Sequence, residues 1–218
     1  MEFLLSLWGY TSGRFDQVGQ ALIEHVAYVV SVVGLASVFA IVVAIATRHN
    51  VFARELSLAI ASVFLTIPSL ALFTIFIPLV GLGFAPSFIA LFLYAILPIL
   101  RNTVTGLDGV DPSVMEAAKG MGLTNSEILL RIQLPLAWPV ILAGIRIATM
   151  LTVGIAAIAT LVAGGGLGDF IKSGLARLPL PNSLEAIWLG TILSLLLAFA
   201  IDMALKLVKN VTISRGIR

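Results

Sequence analysis

The sequence predicts an all-α polytopic membrane protein of about five transmembrane helices, and three observations carry that expectation. Of 218 residues, 60% are hydrophobic and only 11% are charged, with a mean hydropathy of +1.11. A soluble domain normally carries about 25% charge, so most of this exterior must face lipid rather than water. The few charges are also clustered, which leaves long charge-free stretches. Those stretches are apolar on all sides and long enough to cross a bilayer, which takes roughly 20 helical residues. A soluble enzyme, a disulfide scaffold (the chain has no Cys) and a disordered chain are thereby excluded, and a net charge of +2 gives no reason to expect nucleic acid.

Residues 1–25 form an expected interfacial segment on the outer face. Met1-Glu2 is not a basic signal-peptide start, and Trp8, Tyr10 and Phe15 mixed with Arg14 and Asp16 suit a headgroup boundary. The membrane domain then spans residues 26–208. Its first helix is Val26 to Thr47, closed by Arg48-His49. From Leu56 to Leu100 there is no charge, too long a run for one span, and Pro78-Leu79-Val80-Gly81-Leu82-Gly83-Phe84-Ala85-Pro86 divides it into two helices with a tight turn. The fourth stretch, Ile132 to Gly168, contains a single charge, Arg146. The fifth runs from about Ala186 to Ile201, with Asp202 and Lys206 at its foot, and residues 209–218 are a tail.

Basic residues orient the chain. With the loop after the third span inside, Arg48, Arg54, Arg101, Lys119, Arg131, Lys206, Lys209, Arg215 and Arg218 lie on the inner face, and Arg14, Lys172 and Arg177 on the outer. Nine against three predicts an outer amino terminus and a cytoplasmic carboxyl terminus.

The segment 111–135 between the third and fourth spans is the most polar and the most clearly punctuated. Asp111-Pro112 starts a helix, and Ser113-Val114-Met115-Glu116 fits a capping box. Gly120 and Gly122 end that helix. Thr124-Asn125-Ser126-Glu127 is a second capping box, and the helix it opens is expected to stop at Leu134-Pro135. Met115, Ala118 and Met121 can share one face of the first helix. Two short amphipathic helices with a glycine elbow make a protrusion that a cytoplasmic partner can grip.

Glu116-Ala117-Ala118, three residues, Gly122, nine residues and Ile132-Gln133-Leu134-Pro135 reproduce the EAA motif. The chain thereby resembles the permeases of binding-protein-dependent ABC importers. Thr66-Ile67-Pro68-Ser69-Leu70, Leu97-Pro98-Ile99-Leu100-Arg101-Asn102-Thr103 and Gly164-Gly165-Gly166-Leu167-Gly168-Asp169 are similar to the osmoprotectant branch, which serves glycine betaine, carnitine and choline. The resemblance implies a type I importer permease fold in a bacterial inner membrane. It makes the segment around Glu116 a coupling helix, assigning Glu116, Ala117, Ala118, Gly122, Ile132, Leu134 and Pro135 to contact with an ATPase. Further implied partners are a second permease subunit, identical or related, and an extracytoplasmic binding protein. ATP and magnesium would sit on the ATPase, and this chain would need no cofactor or metal of its own. A permease for another solute, such as methionine, is the alternative.

Other residues invite weaker readings. Pro68 in mid-span frees a carbonyl, so Thr66, Pro68 and Ser69 are candidates for the path or a gate, as is Pro98. Gly164, Gly165, Gly166 and Gly168 are candidates for binding-protein contact, or simply a tight turn. Arg146 would lie roughly 15 Å from the inner end of its helix, too deep to reach water easily, so an ion pair with Asp202 is one expectation. No Gly-Lys-Ser or Gly-Lys-Thr follows a glycine loop, and no His pair has metal-ligand spacing, so no catalysis is expected of this chain.

Overall fold

The computed structural model describes residues 2–212; residue 1 and residues 213–218, with the Arg215 and Arg218 of the charge count and most of the expected tail, lie outside the described residues. The chain is helical almost throughout: α1 Glu2–Ser12, α2 Phe15–Thr47, α3 Val51–Thr66, α4 Ser69–Val80, α5 Phe84–Asp108, α6 Pro112–Gly120, α7 Asn125–Ile128, α8 Leu134–Ala159, α9 Gly168–Ala176 and α10 Ser183–Thr212. Four continuous helical runs are long and apolar enough to cross a membrane, and the bent pair α3 and α4 makes a fifth.

Two ends of the bundle result. At one, Arg54 of α3 pairs with Asp108 of α5 at 2.8 Å, and Trp138 of α8 donates to Thr212 of α10 at 3.0 Å. At the other, Phe3 of α1 meets Trp188 of α10 edge to face, and the Gly83 amide donates to the Val162 carbonyl at 2.9 Å. We call these the α6 end and the α9 end.

The first span does not begin at Val26. α2 passes through that position unbroken and is 33 residues long, about 50 Å against a hydrocarbon core of about 30 Å. Its polar first turns therefore extend past the apolar layer as helix. Tyr10 and Ala21 are buried in a small second core with Leu167, Phe170 and Ala186. The amino-terminal 25 residues are thus partly packed onto α9 and α10.

α5 is the central post. Every residue from Tyr94 to Leu100 is buried, between a face of α2 that includes Val29, Val32, Val33, Ala36, Ala40 and Ala44 and one of α8. Small residues set the α5–α8 distance: a Cβ on Gly144 would lie 2.6 Å from the Asn102 Cβ and 2.7 Å from the Pro98 carbonyl oxygen. Without a hydrophobic drive between helices in lipid, such close backbone approach is what holds a pair together.

The charge-free run also breaks earlier than expected, at Pro68, where α3 and α4 diverge by 100°. Proline has no N–H to continue the ladder, and the neighbouring Ile67 carbonyl accepts instead from the Tyr94 hydroxyl at 2.6 Å. A polar side chain of α5 thus caps the break inside the protein. The expected turn shortens to Gly81–Gly83, with α4 continuing through Pro78 to Val80.

α9, unanticipated from the sequence, lies against α10 where Gly174 and Gly190 permit contact: a Cβ on Gly190 would sit 2.8 Å from the Leu167 carbonyl oxygen. Farther along, Arg146 of α8 pairs with Asp202 of α10 through both carboxylate oxygens, and Lys206 reaches Asp202 at 2.9 Å. This supplies the ion pair expected for Arg146.

Candidate functional site

The α6 end is assembled from local signals. The Asp111 side chain accepts from the Ser113 amide at 2.8 Å, and Pro112 occupies the first turn. Hydrogen bonds from the Ser113 hydroxyl and amide hold the Asp111 carboxyl below its ordinary range. The anticipated Ser113–Glu116 box does not form; Asp111 is the cap. Thr124 and Glu127 do form a reciprocal box, with the Thr124 amide donating to Glu127 at 3.0 Å.

Gly122 has a purely geometric task. Its φ is +82°, a left-handed conformation costing an L-residue roughly 1–2 kcal/mol. The Leu123 amide donates back to Ala118 at 3.2 Å and the Gly122 amide to Lys119 at 2.9 Å. This is the Schellman closure that satisfies the last carbonyls of a helix. The elbow between α6 and α7 is thus built by glycine.

α6 stands clear of the bundle. Glu116, Ala117, Lys119, Met121 and Gly122 are exposed, and Glu116 and Lys119 have no ion pair among the described residues. Ala118 is the exception: it is fully buried, so its small size seats α6 on its own chain and a partner cannot touch it. Met121, expected on the same face, is 71% exposed instead.

The second half of the motif lies elsewhere. α7 does not stop at Pro135; it passes through a π-helical turn, Leu129–Gln133, directly into α8. A wider turn eases the clash of the proline ring with the preceding turn, although the hydrogen bond that proline cannot donate is still lost. Gln133 donates from Nε2 to the Leu107 carbonyl of α5 at 3.1 Å, tying the turn to α5. Ile132 and Leu134 are half-buried, Leu134 against the main core, and Pro135 is exposed. Leu134 and Pro135 lie at the start of α8, and Ile132 in the turn that leads into it. They do not join Glu116 on the protruding surface.

The remaining candidates divide. Thr66 and Pro68 are exposed at the bend, with Ser69 half-buried, but the Thr66 hydroxyl is spent on the Val63 carbonyl at 2.7 Å. Pro98 is buried in the core and faces no open path within this chain. Among the glycines, Gly164 and Gly165 are half-buried, whereas Gly166 and Gly168 are buried and unavailable to a docking protein. A Cβ on Gly168 would collide with the Ala157 carbonyl, and Gly166, at φ +83°, lies against the His25 ring. His25, missed in the sequence as a structural group, is fully buried. The Leu167 amide donates to its Nδ1 at 3.3 Å, so the proton is on Nε2, facing the Val153 carbonyl at 3.2 Å. One imidazole therefore joins α2, α8 and the glycine loop. Among the described residues, no group of three or more His, Asp or Glu side chains is placed to hold a metal.

Residues 36–210 match the family described as binding-protein-dependent transport system inner membrane component. The chain is 36% identical to the osmoprotectant import permease protein OsmW of Salmonella typhimurium, over 89% of this chain and 91% of that one. It is 49% identical to the choline transport system permease protein OpuBB of Bacillus subtilis, in a match spanning 54% of each chain. Among solved structures it resembles a chain of the inward-facing MetNI methionine ABC transporter, with a TM-score of 0.71 over 90% of this chain and 98% of that one; at 21% identity this likeness speaks to the fold. A bent, five-span helical bundle with a protruding capped helix, matched over most of its length, belongs to the multi-pass inner-membrane components of binding-protein-dependent ABC transport systems.

Proposed function

We propose that this chain is the permease for a quaternary-amine osmoprotectant such as glycine betaine, carnitine or choline. The observation that carries the coupling part of the reading is the α6 protrusion, which exposes Glu116, Ala117 and Gly122 while the π turn that follows it is tied to α5 by Gln133. Two cytoplasmic ATPases would bind such helices, one on each of two permease subunits. The exposed Glu116 carboxylate would meet a basic side chain there, and Ala117 would allow close approach.

When the ATPases close on ATP, force applied to α6 passes through the Gln133–Leu107 bond and the π turn into α5 and α8. The spans then reorient, and a binding protein delivers solute at the α9 end. In this reading the α6 end is cytoplasmic and the amino terminus outside; Arg48, Arg54, Arg101, Lys119, Arg131, Lys206 and Lys209 all lie toward the α6 end, as the distribution of basic residues requires. The substrate class rests on the osmoprotectant and choline permeases to which the chain is similar.

Uptake of radiolabelled glycine betaine, carnitine, choline and methionine by the reconstituted complex tests the reading. Quaternary amines are expected to be accumulated with ATP and methionine excluded. Crosslinking from cysteines at Ala117 and Glu116 is expected to capture the ATPase. Contact with lipid alone would remove the coupling role.

A further inference from the structure

A cavity of about 450 Å³ opens at the α9 end, lined by Glu24, His25 and Tyr28 of α2, by Phe84 and by the loop Gly164–Gly166. Its size is ordinary for a small-molecule site. Its chemistry is unusually one-sided. The donors in its wall are already engaged within the chain: the Tyr28 hydroxyl with the Phe84 carbonyl at 3.3 Å, the Ser31 hydroxyl with the Tyr28 carbonyl at 2.9 Å, and both His25 nitrogens as described above. An anion entering here would find no free side-chain donor.

A cation finds two partners. Glu24 is the only formally charged residue in the lining. Its Oε1 accepts from Gln20 at 2.9 Å, but it makes no ion pair among the described residues. Its Oε2 lies 3.3 Å from the point a Cβ on Gly165 would occupy, so the carboxylate abuts the bare glycine loop. The Tyr28 and Phe84 rings are 4.7 Å apart, with Phe88 5.3 Å from Phe84. Phe84 is 55% exposed, so one face of that aromatic group stays open. The guanidinium groups nearby, Arg14 and Arg177, line a separate cavity on the other side of Glu24. A carboxylate beside aromatic faces, in a wall with no side-chain donors to spare, suits a cation that carries methyl groups in place of N–H bonds.

We propose that this cavity binds a quaternary ammonium group, held by the Glu24 carboxylate and the Phe84 and Tyr28 rings. It is a recognition point within the permease, where a solute released at the α9 end is met before it enters the bundle. The inference rests on the substrate class proposed above, and it adds a site in this chain.

The test is equilibrium binding of radiolabelled choline to the full chain in nanodiscs of phosphatidylethanolamine and phosphatidylglycerol, without a binding protein. Saturable binding is expected, displaced by tetramethylammonium. Glu24→Gln and Phe84→Leu are each expected to weaken it about tenfold, in line with the strength of a partly desolvated cation–π or charge contact. Phe84→Tyr, which keeps an aromatic face, is expected to retain it, an outcome that a packing role alone would not require. Repeating the measurement in phosphatidylcholine discs identifies the source: undiminished binding means a free solute is the occupant, and loss means a lipid headgroup of the same chemistry is.

If choline does not bind, or binds equally well to both weakened variants, the site is overturned. Quaternary-amine uptake by the wild-type complex would then still uphold the substrate class. If no quaternary amine is transported at all, the substrate class fails first.

Discussion

The α6–α7 protrusion and the mouth at the α9 end are built by opposite means. At the α6 end, each turn is closed by residues two to five positions away: Asp111 with Ser113, Leu123 with Ala118, Thr124 with Glu127. At the α9 end, the ties span the chain. His25 reaches Val153 and Leu167, and Tyr28 reaches Phe84. The first construction leaves its outer surface free, as a handle for another protein requires. The second buries Gly166 and Gly168 against other helices. Local capping makes a protrusion rigid without spending its surface, while long-range ties make an enclosed mouth.

Substitutions that strike each end sharpen this contrast, and they are given in order of their expected effect on stability. Gly168→Leu should be the most damaging, because the new side chain starts inside the Ala157 carbonyl. Overpacking of this kind costs about 3 kcal/mol or more, and fluorescence-detected size exclusion should show loss of a monodisperse peak.

Next is the pairing of α8 with α10. Asp202→Leu should lower the melting temperature in detergent because it leaves both Arg146 and Lys206 without their carboxylate, and Arg146→Met should lower it less because Lys206 still pairs with Asp202. The double variant should recover part of the loss, and failure to recover would show that the pair has another duty.

Gly122→Ala should cost about 1 kcal/mol from its left-handed backbone alone. Its melting should be nearly unchanged if the elbow unfolds independently of the bundle. Gly122→Asn should fall between, since Asn tolerates that conformation better.

Glu116→Lys should leave melting unchanged, its side chain being exposed and without an ion partner among the described residues. ATP-driven uptake should nonetheless fall about tenfold or more, through charge reversal at a partner surface. Melting loss at Glu116, or intact function after Gly168→Leu, would break the proposed division between the two ends.

Much of the α6 end was legible because its information is local. Asp111-Pro112, Thr124 with Glu127, and Gly122 are capping signals whose partners lie within one helical turn or two. Pro68 drew notice for the same reason, as a freed carbonyl rather than as a 100° break. The burial of Ala118 was not, since it depends on how α6 seats on its neighbours. Nor was the π turn through Leu129–Gln133, where Leu134-Pro135 looked like a stop signal. At the α9 end, Gly164 to Gly168 drew notice as a group, but which glycines are buried depends on His25 and Ala157, each from another helix. Tyr28 and Phe84, 56 positions apart, carry no local signal that they meet.

By itself the sequence determined that lipid is the solvent, roughly where the chain crosses it, and where short helices are capped outside it. Those properties follow from charge content, apolar run length and hydrogen bonds that close within a few residues. Only the tertiary structure decided the continuity of α2 past Val26, the placement of α9, the Arg146–Asp202 partnership and the cavity behind Glu24. Each of these needs two helices brought within van der Waals or hydrogen-bonding distance, and periodicity along one helix carries no record of what lies opposite it.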